Sequence, residues 1–157
     1  AADDFDGIRS DLRRHRLGWG LDDHVDFNNK TALEKVLNQV GAYRDRVIMW
    51  GDGSAYRELM CSDDLADACI YLMNTKNYTE IGKFVNITGG KDIRLYELFE
   101  RIKHIIGFNG AIEYDATKPN GTPRKQMDPS LIQHLGWTPR ISLEKGIDAL
   151  YRWYINE

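Results

Sequence analysis

The sequence predicts an α/β domain. Short β-branched runs alternate with segments of helical periodicity, and the turns between them are built from Gly, Pro, Asn and Asp. With 42% hydrophobic and 29% charged residues in 157, the composition is that of a soluble globular chain able to bury one real core.

Taken in order, residues 1–45 read as a charged, partly helical peripheral segment or insertion, and residues 46–157 as the domain proper. In the first part GIRSDLRRHRL predicts a short basic helix, and LGWGLDDH a loop. The cluster Arg13, Arg14, His15 and Arg16 reads as a solvated face. TALEKVLNQVGA sets Leu33, Val36, Leu37 and Val40 at helical spacing, with Gly41 as the stop. RVIMW (46–50) predicts a strand and GDGS the turn after it. Ser62 or an Asp beside it should cap the helix DDLADACIYLMNT, whose first-turn carboxylates suit the positive end of the helix dipole. KFVNIT (83–88) predicts another strand, ended by Gly89 and Gly90. Residues 93–107 place Leu95, Leu98, Phe99, Ile102, Ile105 and Ile106 on one broad face and stop at Gly107. AIEYD (111–115) is a short strand. SLIQHLG and SLEKGIDALYRWYIN are two further helices, the second opened by Ser142. No internal repeat is visible.

Several classes are disfavoured. No apolar run approaches the roughly 18–20 residues of a membrane span, and no signal-peptide pattern opens the chain. A net charge of −3 argues against a general nucleic-acid binder. Cys61 and Cys69 form no close CxxC pair and read as reduced thiols of a cytoplasmic protein. The histidines at 15, 24, 104 and 134 lack metal-ligand spacing, so no metal site is expected.

WGDGSAYR holds a GxG, but Arg57 and Glu58 stand where a third glycine and a helix should follow, and ITGGKD lacks the spacing; no dinucleotide fingerprint is present. Tyr114 and Lys118 make a YxxxK. That pairing works on a helix, where i and i+4 share a face, whereas Tyr114 ends a strand and Pro119 turns Lys118 away from helical geometry. No catalytic residue is assigned. Two turn-borne cationic groups remain: Arg57 after the glycine turn, and Arg124 with Lys125 at the end of KPNGTPRK. A guanidinium fork and an ammonium suit phosphate oxygens, and Trp50 offers an aromatic face for a base or sugar. The plainer alternative is a core Trp50 with cations that only solvate loops.

Three stretches carry a resemblance: WGDGSAYRELMCSDDLADACIYLM, the run from VNITGGKD to KPNGTPRKQMD, and LGWTPRISLEKGIDALYRWYINE. Together they resemble the C-terminal part of GDP-L-fucose synthases, which are extended short-chain dehydrogenase/reductases, over about residues 46–157. The resemblance implies a small, irregular C-terminal substrate-binding domain, without the N-terminal Rossmann domain on which it would close. It implies a parent enzyme that converts GDP-4-keto-6-deoxy-D-mannose to GDP-L-fucose by epimerisation at C3 and C5 and NADPH reduction at C4. Carried over by position, Trp50, Arg57, Asn120 and Lys125 would line the GDP-sugar site, with Arg57 on the diphosphate. The usual residue at 120 is Asp, so Asn120 replaces an acceptor by a group that also donates. Cys61 is not the family's epimerisation cysteine, and Lys35 aligns only loosely with a substrate-contacting basic residue. NADPH would bind the parent, not this fragment. The fragment alone is expected to be monomeric and inactive, its partner being the Rossmann domain of the same parent chain. Alternatives are a domain acting on another nucleotide sugar, or a non-catalytic interaction module using residues 13–16.

Overall fold

The computed structural model describes residues 5–14 and 25–156. Of the basic cluster, His15 and Arg16 lie outside the described residues, as do the LGWGLDDH loop and His24. The elements are α1 (Phe5–Arg14), α2 (Lys30–Gln39), β1 (Arg46–Trp50), β2 (Tyr56–Glu58), α3 (Ser62–Thr75) and α4 (Tyr78–Ile81). They continue with β3 (Asp92–Arg94), α5 (Leu95–Ile106), β4 (Ala111–Asp115), β5 (Arg124–Lys125), α6 (Ser130–His134) and α7 (Leu143–Asn156). β1 pairs with β4, and a second sheet has the order β3–β2–β5. The result is a mixed α/β chain in two compact units, Ala1–Met49 with Gly110–Tyr114, and Trp50–Asn109 with Asp115–Glu157.

In the first unit α2 begins where Asn29 accepts hydrogen bonds from the Thr31 and Ala32 N–H groups, filling two donors that a helix start leaves open. Its Leu33 and the Leu12 of α1 are buried. Arg13 donates to Asn28 and lies over the Phe27 ring, as a surface group anchored to its neighbours.

The second unit is organised by α3. Ala68 and Leu72, one turn apart, join Ile132, Leu135 and Trp137 in the core, with Val85 and Ile87 packed against it. Asp64, a turn before Ala68, is only 3% exposed and accepts from the Arg140 and Ile141 N–H groups. Asp67 accepts from Trp137 Nε1. Two of the three carboxylates of DDLADA, Asp64 and Asp67, thus fasten the LGWTPRI segment to the helix.

Three elements differ from the sequence-based expectation. The N-cap of α3 is Cys61, without a side-chain cap bond, and Ser62 is already helical; Asp64 reaches across to the 140–141 backbone instead. Residues 92–94 are a strand before α5 begins, because they pair antiparallel with β2 through Arg57↔Ile93. At the far end Gly107 stops α5 in the left-handed conformation, φ 70° and ψ 27°. KFVNIT enters no sheet: no named strand covers 83–88.

Candidate functional site

β1 ends at Trp50, and Gly51-Asp52-Gly53 turns the chain into β2. Gly51 and Gly53 have φ of 81° and 73°, which glycine adopts without a Cβ penalty. Asp52 accepts from the Ser54 N–H at 2.8 Å. The Ser54 hydrogen bonds, helped by Asn120, hold the Asp52 carboxyl below the usual carboxylate range.

Asn120 fastens the KPNGTPRK loop to this turn. Its Oδ1 accepts from the Asp52 N–H at 2.7 Å and packs so close to Gly51 that a Cβ there would sit 2.2 Å away. The next link is backbone: Tyr56 N–H donates to the Pro123 carbonyl, and β2 then pairs in parallel with β5, Tyr56 opposite Arg124 and Arg57 opposite Lys125. Adjacent strands lie about 4.8 Å apart and register partners point to the same face, so Arg57 and Lys125 stand side by side.

Arg57 is divided in its contacts. Nη1 donates to the Tyr56 carbonyl at 2.5 Å and the Thr122 carbonyl at 2.7 Å. A Cβ on Gly121 would meet Nη2 at 3.5 Å, an ordinary contact; it is the φ of 71° that favours glycine at this point of the loop. Among the described residues Nε and Nη2 have no hydrogen-bond partner, and Lys125 has no ion pair, which leaves a two-pronged N–H edge beside an ammonium. Arg124 differs: it makes a two-bond pair with Asp92, whose side chain is 7% exposed, and lies over the Tyr56 ring. Its charge is taken up by the structure. Trp50 is 70% exposed rather than core, with Lys118 Nζ 5.6 Å from its ring centroid.

All four sequence-derived residues therefore belong to one unit, on or beside one turn and one loop. Their supports were not foreseen. Glu58 accepts from the N–H groups of Gly90 and Met127, tying the glycine pair to the segment that follows β5. Asp92 orients Arg124. Glu58 sits in the RE of the recognised stretch, but its partners lie 32 and 69 residues away; Asp92 carries no local signal. Lys35 is exposed on α2, where an open depression is lined by Thr31, Glu34, Lys35, Asn38 and Gln39, and by none of the four. Tyr114 lies in β4 and Lys118 in the turn behind it, so their YxxxK occupies no helix. Among the described residues no group of three His, Cys, Asp or Glu side chains could hold a metal. No described helix is long and apolar enough to cross a membrane.

A dinucleotide does not fit the one GxG turn of the site. Gly51–Gly53 leads from strand to strand, with no helix N-terminus to face a pyrophosphate, and the Asp52 carboxylate already takes the turn's Ser54 donor.

Comparison with known proteins places this mixed α/β fold among relatives. Residues 18–88 match the NAD dependent epimerase/dehydratase family. The chain is 47% identical to "Putative GDP-L-fucose synthase 2" of Arabidopsis thaliana, over 87% of this chain and 42% of that protein. It is 34% identical to "GDP-L-colitose synthase" of Yersinia pseudotuberculosis, over 88% and 46%. Among solved structures, a GDP-6-OMe-4-keto-L-xylo-heptose reductase from C. jejuni superposes with a TM-score of 0.78 at 28% identity, covering 99% of this chain and 46% of that one. The chain is thus similar, at 44–47% identity, to proteins named as GDP-L-fucose synthases. It spans less than half the length of these relatives. The family match starts at residue 18, so the likeness reaches into the first 45 residues and is not confined to 46–157.

Proposed function

We propose that this chain is the substrate-binding part of an NADPH-dependent enzyme of the GDP-L-fucose synthase kind, which epimerises GDP-4-keto-6-deoxy-D-mannose at C3 and C5 and reduces its C4 ketone. The observation that carries this reading is the free N–H edge of Arg57 beside the free ammonium of Lys125. A diphosphate offers oxygens on two phosphorus atoms, and a fork next to a point charge can engage both. Trp50 would cover one face of the base or sugar, with Lys118 against the indole. Asn120, whose Oδ1 is engaged by Asp52, would present its Nδ2 amide to a hydroxyl. NADPH supplies hydride when bound, and its site is assigned to the rest of the parent, a Rossmann domain, because the turn in this chain does not fit it. This chain's own work is to bind and orient the nucleotide, and by itself it turns nothing over.

Calorimetric titration of the chain with GDP, UDP and dTDP tests the reading. GDP should bind, weakly because only part of the cleft is present, and Lys125→Ala should weaken it about tenfold or more without lowering stability. Equal binding by Lys125→Ala and the parent sequence would overturn the site. NADPH oxidation by the 157 residues with the keto-sugar would overturn the division of labour.

A second substrate has its own support: relatives named for GDP-L-colitose and for a GDP-linked heptose are similar over 88% and 99% of this chain. Shared GDP recognition with a different sugar would follow, and turnover of the full parent with each keto-sugar separates the two.

A further inference from the structure

β2 has a second face that the nucleotide reading does not use. Successive residues of a strand point to opposite sides, and register partners point to the same side. Tyr56 therefore faces away from Arg57, and its register partners, Arg94 of β3 and Arg124 of β5, share its side. The carboxylates of that side are already engaged. Glu58 accepts from the Gly90 and Met127 N–H groups, and Asp92 accepts from Nε and Nη2 of Arg124. Arg94 has no such partner: among the described residues it forms no ion pair, and its side-chain hydrogen bonds go to two phenols. Nε donates to Tyr56 Oη at 2.5 Å and Nη1 to Tyr96 Oη at 3.2 Å. Nor does Arg94 serve the helix it precedes. It is the N-cap of α5 and makes no cap bond, at a position where Ser, Thr, Asp or Asn is preferred and where a cation is unfavourable. A cation set against local preference and left without counter-charge points to a role beyond the fold.

Counting protons shows what the cluster lacks. A phenol oxygen that accepts from Arg94 keeps its own hydrogen and must turn it elsewhere. Among the described residues neither Tyr56 nor Tyr96 has an acceptor for that hydrogen, and Nη2 of Arg94 has no partner. One guanidinium and two hydroxyls thus gather several donors and no acceptor. The Tyr56 and Tyr96 ring centroids lie 5.1 and 5.8 Å from the guanidinium carbon, so the group is held between two aromatic rings. Arg94 is exposed and Tyr96 is 38% exposed, so a ligand can reach them.

We propose that Arg94, Tyr56 and Tyr96 form an anion site, on the reverse face of the sheet from Arg57 and Lys125, that takes a terminal phosphate group. Such a group carries three acceptor oxygens and more than one negative charge at neutral pH. A guanidinium edge engages two of the oxygens and the phenolic hydroxyls the third. A carboxylate, with two oxygens and a single charge, matches this donor set less well. The phosphate can be the free ion or the end of a phosphomonoester. The inference does not rest on the nucleotide reading, because it uses none of Trp50, Arg57, Asn120 and Lys125.

NMR titration of the chain with inorganic phosphate and with glycerol 3-phosphate tests it, following the tyrosine ring signals and the Arg94 Nε–H. At least one of the two should give saturable shifts at Tyr56, Tyr96 and Arg94 with a midpoint in the millimolar range. Tighter binding by the ester identifies a phosphorylated metabolite as the ligand, tighter binding by phosphate identifies the free ion, and both support the site. Tyr96→Phe keeps the ring and deletes one donor, so it should weaken binding about fivefold or more with the melting temperature unchanged. Arg94→Gln should abolish binding, and where that variant fails to fold, Tyr96→Phe carries the test. Lys125→Ala should leave the titration as it is in the parent sequence. Shifts that do not saturate, or that sodium chloride reproduces at equal ionic strength, overturn the proposal. So does a response that Lys125→Ala removes, since phosphate would then be reporting the nucleotide cations, and so does Tyr96→Phe binding as tightly as the parent sequence.

Discussion

Replacing Asp64 by Ala should loosen the second unit more than any other single carboxylate change near the core. The carboxylate is 3% exposed and accepts from two backbone donors, Arg140 N at 3.1 Å and Ile141 N at 2.9 Å. A hydrogen bond to a charged acceptor contributes about 1.5–3 kcal/mol, so losing both costs about 3–5 kcal/mol after some rehydration of the freed N–H groups. Against a total of about 5–15 kcal/mol for a domain, that is a large fraction. The Asn variant keeps one acceptor but turns an NH2 group toward an N–H, so Asp64→Asn should fall between Ala and the parent residue. Urea unfolding followed by tryptophan fluorescence reports it, because Trp137 is 2% exposed on the segment that Asp64 holds. With a slope of about 2 kcal/mol per molar, the midpoint should fall by about 2 M. A shift below about 0.3 M, or an Asn variant less stable than the Ala variant, would refute the view that DDLADA is a fastening for residues 140–141.

Other outcomes follow from the same geometry. Gly51→Ala should destabilise by about 2–3 kcal/mol in thermal or urea melts, since it forces a Cβ into the left-handed region at φ 81° and against Asn120 Oδ1, breaking the Asp52 contact. Arg124→Ala and Lys125→Ala should separate cleanly: the first lowers stability slightly, as a fall in melting temperature, through its partly exposed pair with Asp92, and the second lowers only GDP affinity in calorimetry. Hydrogen bonds from Thr117 hold the Asp115 carboxyl below its ordinary range. Its folded pKa is therefore depressed, so its contribution to stability is present above the ordinary carboxylate value and is lost as pH falls through the folded value. An NMR titration should place the Asp115 midpoint below 3.8, and Thr117→Val should move it up.

The helices were legible because their signal is local. The apolar stripe of α5, the Gly107 stop and the Ser142 start of α7, where Lys145 N–H donates to Ser142 Oγ, all lie within a few residues of what they govern. The four candidate residues came from the resemblance and from the chemistry of turn-borne cations. What tertiary structure alone decided are the links across long separations. Nothing in YRE or RK announces a strand; both become strands because each meets the other, bringing Arg57 next to Lys125. Nor could spacing tell that Asp92 takes up Arg124 and leaves Lys125 free, or that Asp64 serves the backbone 76 and 77 residues on in place of its own helix. KFVNIT shows the converse. Its residues are those that favour a strand, but a strand is a property of two segments, and whether this one is paired depends on chain brought to it through space.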